Sequence, residues 1–170
     1  MTRSSLVRRP LVRWDGLVFR VDLDMVEVLF ARELRTHDAP VRRLQLGGMG
    51  EVVRVDLELT LKGFPARIAA ELEEIRIYRG FLGCRVRSLR GPMNLPIPLS
   101  LAAWGLARAG HPDIRLDTED GVLLVDIRRR LPSILDLHLS SVQVVARELR
   151  LSLGPGRLFP PPTELSTADE

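Results

Sequence analysis

The run EVVRVDLELTLK, residues 51–62, constrains this chain more than any other stretch. Val53, Val55, Leu57, Leu59 and Leu61 alternate with Arg54, Asp56, Glu58, Thr60 and Lys62. Successive side chains of a strand leave on opposite faces, so this alternation predicts a strand with one dry face and one wet face. Such a strand needs hydrogen-bonded neighbours and cover for its dry side. The flanking sequence supplies the neighbours. Residues 41–46 read as a short strand carrying Val41, Leu44 and Leu46, and Gly47, Gly48, Met49 and Gly50 turn the chain. Beyond the turn at Gly63, Phe64 and Pro65, residues 66–78 return with Ile68, Ala70 and Leu72 in phase. After Glu73 and Glu74 the phase slips by one, to Ile75 and Ile77. A slip inside an unbroken strand pattern predicts a β-bulge, which bends and twists its sheet.

The same one-sided pattern recurs along the chain. Phe19, Val21 and Leu23 mark one strand; Leu82, Cys84 and Val86 mark another. Ile114 and Leu116, then residues 122–127, make a further pair. Leu135, Leu137 and Leu139 alternate until Ser140 and Ser141 shift the phase to Val142 and Val144, a second expected bulge. Leu149, Leu151 and Leu153 end the series. Tight turns join these segments, so the strands are expected to be antiparallel. Between the first strand and residue 41, Asp24 and Glu27 have capping-box spacing, with Leu23 and Val28 placed as a hydrophobic staple. That predicts a helix over 25–35 burying Val26, Leu29, Phe30 and Leu34; a longer strand reaching Phe30 is the alternative.

The second expected helix, residues 98–109, is odd for a chain of this kind. Pro98 lies near its first turn and Gly110 just past its end, the usual asymmetry of helix termini. Leu99, Leu101, Ala102, Ala103, Trp104, Leu106, Ala107 and Ala109 point in every direction, and only Ser100 and Arg108 are polar. A helix apolar all round must be covered all round. It is about 18 Å long, too short for a hydrocarbon core of about 30 Å. The expected fold class is therefore α+β: a bent, largely antiparallel meander sheet wrapped around one or two helices, with the helix at 98–109 in its centre. Residues 1–14 read as a basic arm, 15–154 as one domain, and 155–170 as a proline-rich, acidic tail.

Composition bounds the function. The chain has 170 residues, 45% hydrophobic and 28% charged, which excludes a disordered chain. Lys62 is the only lysine, and Gln45, Asn94 and Gln143 are the only amides. Scarce amides fit a heat-tolerant source; a GC-rich genome accounts equally well for the arginine excess. Arg8, Arg9 and Arg13 in the arm are candidates for contact with an anionic membrane surface, against the plainer reading of a solvated terminus. No apolar core follows the basic start, so no signal peptide is expected and a cytoplasmic location is the default. Cys84 is the only cysteine, which excludes an internal disulfide. His37, His111 and His138 lie in separate elements without partner ligands, so neither a metal nor a cofactor is expected. The acids at 113, 117, 119 and 120 lack EF-hand spacing. The glycines at 47–50 precede a strand, whereas a phosphate loop precedes a helix. Arg128, Arg129 and Arg130 suit phosphate or headgroups, or an exposed turn. Aromatics make up 5% and do not interleave with arginines, which argues against nucleic acid. No catalytic constellation is present, so no enzymatic activity is expected.

The stretches NLPIPLSLAAWGLARAG and GVLLVDIRRRLPSILDLHLSSVQVVARELRLSLG, in the order capped helix, meander, proline-bounded apolar helix, final meander, resemble the LmeA-type bacterial phospholipid-binding family of the tubular lipid-binding superfamily. The resemblance covers roughly residues 16–153 and is one of pattern. It implies a twisted sheet around a helix with an apolar groove for acyl chains. Members are often exported, and this chain departs from them in showing no export signal.

Two functional readings follow. The first is a non-enzymatic binder of a phospholipid or another long apolar molecule, with Phe30, Leu57, Leu101, Trp104 and Leu106 lining a groove between helix and sheet. The second is a structural or interaction protein with a filled core, which pairs through an open sheet edge or helix face with a second copy, as a homo-oligomer, or with another partner.

Overall fold

A computed structural model describes residues 10–36, 41–61, 64–109, 112–129, 131–132 and 135–160. In chain order the elements are β1 (Val12–Trp14), β2 (Leu17–Asp22), α1 (Leu23–Thr36), β3 (Val41–Met49), β4 (Val52–Leu61), β5 (Phe64–Tyr78) and β6 (Phe81–Arg90). A single 3-10 turn (Pro92–Asn94) leads to α2 (Leu99–Ala109). Then follow β7 (Ile114–Leu116), β8 (Val122–Asp126), β9 (Leu135–Asp136), β10 (Leu139–Val145), β11 (Glu148–Leu153) and β12 (Gly156–Leu158).

Nine of the strands form one antiparallel sheet in the order β2-β11-β10-β5-β6-β8-β7, with β4 also on β5 and β3 on β4. Strand β5 is the hub. Its first half pairs with β4 from Phe64 to Leu72, while β10 joins the same edge at Ile77. Between those pairings the register shifts, and Glu74 takes φ 54°. The slip read at Glu73 and Glu74 is thus the point where the sheet forks. A second shift falls between Leu139 and Ser141, where Ser140 leaves the ladder. Two more shifts match odd three-residue steps in the apolar pattern: one between Val41 and Arg43, with the step from Val41 to Leu44, and one where Glu71 and Leu72 pair with Ser88 and Val86, with the step from Val86 to Leu89. At Arg79 and Gly80 both φ values are positive, 50° and 78°, the two-residue turn whose twist matches a hairpin.

The fork lets the sheet close on its own dry side. Leu23, Val53, Leu139, Val142 and Val144 form the buried cluster, and Leu46, Val55, Ile75, Ile77, Leu149, Leu151 and Leu153 pack around it. Strand β10 therefore meets β3 and β4 across the interior, and a bridge between Gly50 and Val144 ties the β3–β4 hairpin tip to it. Helix α1 runs from β2 to β3 over the opening. Arg147, in the β10–β11 turn, clamps it there: its guanidinium donates to Asp24, to Glu27 (3.1 Å) and to the Leu46 carbonyl (2.7 Å). Glu27 in turn accepts from the Leu46 amide (2.7 Å). The N-cap of α1 is Asp22, whose Oδ1 accepts from the Asp24 and Met25 amides. Asp24 is spent on Arg147, so the capping role expected of it moves two residues back. Val28 is exposed and Leu23 is fully buried, so the expected staple does not form. Leu29, expected inside, is 55% exposed; Val26 and Phe30 are half-buried. The side chain of Leu34 lies outside the described residues.

The expected α+β class is overturned. This is a sheet-dominated fold, and α2 is not at its centre. Helix α2 packs on β7, at one margin of the sheet. Its inner stripe, Leu99, Ala102, Ala103 and Leu106, is half-buried, while Leu101 and Trp104 are 56% and 61% exposed. The reason is geometric. The forked, curled sheet packs its own side chains against one another near the fork, and the helix is left to β7 at the margin. Uniform apolarity states that a helix needs cover; it does not state that this chain supplies it.

The strand β12 pairs with β1 and β9 in a separate three-stranded sheet. The last residues of the expected arm and the first of the expected tail are thus paired with each other. Gly156 is required there: a Cβ would lie 2.2 Å from the Trp14 ring and 2.8 Å from the Asp136 carbonyl oxygen. Gly156→Val is expected to cost about 1–3 kcal/mol through overpacking, read by thermal unfolding; an unchanged melting temperature would show that this small sheet does not support the fold.

Candidate apolar binding face

The registers assign every paired side chain to one of two faces. Opposite residues in an antiparallel pair share a face. Following the pairs across the sheet, Leu17, Phe19 and Val21 of β2 share the inner face with Leu149, Leu151 and Leu153 of β11. The same face continues through Val142 and Val144 of β10, Ile77 of β5 and Leu82 of β6 to Val125 of β8 and Ile114 of β7. On the β4 branch it carries Val53, Val55, Leu57 and Leu59, opposite Leu72, Ala70, Ile68 and Ala66. Among the described residues, no charged residue occupies a paired position on this face. The charges collect on the other side, as Glu58 opposite Arg67, Arg54 opposite Glu71 and Glu73 opposite Arg85.

Among the described residues, only part of the inner face is covered. Burial is deepest at Val53, Leu139, Val142 and Val144 near the fork and falls away from it: Leu57, Ile68 and Ala70 are half-buried, Phe19 is 48% exposed and Phe64 75%. Among the described residues, a depression of about 360 Å³ opens between the last half of β6 and the segment entering α2. Val86, Leu89, Ile97 and Leu99 give it an apolar wall, and Arg87, Ser88 and Arg90 complete it. Its size is at the lower end of small-molecule sites. Gly121 abuts it, since a Cβ there would meet Leu99 at 3.4 Å. None of the four apolar wall residues is among the expected lining residues. The signal was present in Pro96-Ile97-Pro98, which holds the chain extended against β6 through a bridge from Arg90 to Pro96.

The five expected lining residues do not come together in one groove. Phe30 on α1 and Leu57 on β4 belong to the curl, with α1 packed on β3 and β2; Leu101, Trp104 and Leu106 belong to α2 on β7. Leu106 is on the inner stripe, whereas Leu101 and Trp104 point to solvent. Arg8 and Arg9 lie outside the described residues. Arg13 is exposed in β1, opposite Arg157.

The polar face shows what the remaining candidates do. Asp56 is 9% exposed and accepts from Arg54 (2.8 Å) and Arg67 (2.9 Å). Burial pushes its carboxyl up, but the hydrogen bonds from the two guanidiniums outweigh that and hold it below the usual range. Arg128 is committed to Asp126 and lies 4.7 Å from the Phe81 ring centre, so it is no free phosphate ligand. Its hydrogen bonds hold the Asp126 carboxyl at about 2. Asp117 accepts from the amides of Glu119 and Asp120 within its own turn. Burial raises the Cys84 thiol, as expected of a core side chain. His138 stacks edge-on to Tyr78 with ring centres 5.5 Å apart; His37 and His111 lie outside the described residues. Among the described residues, no group of three or more His, Cys, Asp or Glu is placed to hold a metal ion, and no helix is long and apolar enough to cross a membrane. No family model matches the chain, and neither a characterised protein nor a solved structure matches it.

Proposed function

We propose that the protein holds a long apolar molecule, with a lipid acyl chain as the natural occupant, along the uncovered part of the inner face beside the β6–α2 depression. The observation that carries this reading is the continuity of that face. At its paired positions it is free of charge across all nine strands, yet among the described residues it is covered only near the fork. Soluble proteins rarely leave apolar area of that extent bare. Each methylene buried there contributes about 0.8 kcal/mol, so a chain of about a dozen carbons offsets the entropy of association and leaves binding near micromolar strength. In this reading the ligand lies along the sheet itself and not around a central helix.

The test is uptake of a fluorescent sixteen-carbon fatty acid, with native mass spectrometry of the purified protein. The wild type is expected to bind the probe. Leu89→Trp, which fills the depression, is expected to weaken uptake by about tenfold, the equivalent of about 1.4 kcal/mol, with little change in melting. A wild type that takes up no probe and carries no acyl mass sinks the reading. A ligand-free oligomer in the same spectra favours an interaction protein that pairs through β2, an edge strand with Leu17, Val18 and Phe19 exposed.

A further inference from the structure

We propose that the outer face of α2 docks on the surface of a lipid bilayer. The helix has 11 residues and two stripes of opposite fate. Leu99, Ala102, Ala103 and Leu106 turn towards β7; Leu101, Trp104 and Arg108, at helical spacing i, i+3 and i+7, face out. On most surface helices the outward stripe is charged. Here it is apolar, and the segment leading to it adds Met93 and Leu95, 91% and 61% exposed. Met93 and Asn94 are held at φ 57° and 61°, a conformation that side-chain-bearing residues adopt at a cost. Among the described residues, nothing covers these side chains.

Charge selects the occupant. From residue 91 to residue 109 there is no acid and one base, Arg108. Its guanidinium lies 5.6 Å from the centre of the Trp104 ring. An indole with a cation over its face suits the boundary between acyl chains and headgroups, where tryptophan collects and arginine reaches the phosphates. A short helix with an apolar face and a basic margin lies in that plane rather than across it. Acids follow the helix at Asp113, just ahead of β7, and in the β7–β8 turn at Asp117, Glu119 and Asp120, where Asp117 accepts from the amides of the other two. Leu99, on the inner stripe of the same helix, walls the β6–α2 depression, so docking would set that depression beside the membrane. The proposal does not require acyl binding along the sheet, and the two are tested by different probes.

The experiment is flotation of the full chain with vesicles of phosphatidylcholine, alone and mixed three to one with phosphatidylglycerol, alongside light scattering of the protein alone. The wild type is expected to float with both vesicles and more strongly with the anionic ones. The double variant Leu101→Asp, Trp104→Asp, at two exposed positions, is expected to keep its melting temperature and lose at least about tenfold in partitioning. A wild type that stays in the soluble fraction overturns docking, as does a double variant that floats equally well. A wild type of twice the chain mass beside a monomeric variant also overturns it, because the helix is then covered by a second copy.

Discussion

Val144→Asp is expected to leave the chain unfolded, while Gln143→Glu, one residue earlier, changes stability by about 0.5 kcal/mol or less. Val144 is 2% exposed in the cluster that joins the two branches of the fork, and its backbone bridges to Gly50. A carboxylate there has no cation within the apolar cluster. Burying an unpaired charge costs several kcal/mol even after relaxation, comparable to the whole stability of a small domain, about 5–15 kcal/mol. The margin is thin because the buried core is small: Leu23, Val53, Cys84, Leu139, Val142 and Val144 are the buried apolar residues among those described. Gln143 lies on the other face opposite Arg150, where a glutamate meets a cation. Far-ultraviolet circular dichroism and urea unfolding of both variants decide the matter. Equal behaviour would mean that the inward register of β10 is wrong by one residue.

The next largest effect is expected at Asp56. Asp56→Ala removes the acceptor for Arg54 and Arg67 and is expected to cost about 1–3 kcal/mol. The pH dependence has a definite sign. The folded-state carboxyl lies below its usual value near 3.9, through its arginine hydrogen bonds and against the opposing effect of burial. Its contribution is therefore complete above the unfolded value and is lost as pH falls through the lowered folded one. Melting of the wild type should decline as pH drops below about 4, and Asp56→Asn should show a shallower decline. Parallel curves for the two proteins would remove Asp56 from the account. The guanidiniums are half-exposed, which keeps the effect below that of a fully buried pair.

Both effects show what local sequence can specify. The dry and wet faces of β4 were legible from residues 53–62 because side-chain alternation is a property of one strand and needs no partner. The bulge at Glu73 and Glu74 was legible for the same reason, because it displaces its own strand's phase in consecutive residues; that the sheet forks there was not, because the fork needs β4 and β10 on one edge of β5. The sequence likewise determined that α2 is a helix lacking a polar face. It did not determine that Asp56, on the wet side, is buried, because Arg67 reaches it from another strand. Nor did it determine that Asp22 caps α1, because Arg147, more than a hundred residues away, takes Asp24. The place of α2 was decided last and furthest from its own residues. It depends on β4 and β10 sharing one edge of β5, which closes the curl on itself and leaves the helix at the margin. Apolarity is local and additive along a chain, whereas cover comes from whichever surface the long-range pairings bring near, and that is settled only when the whole sheet is assembled.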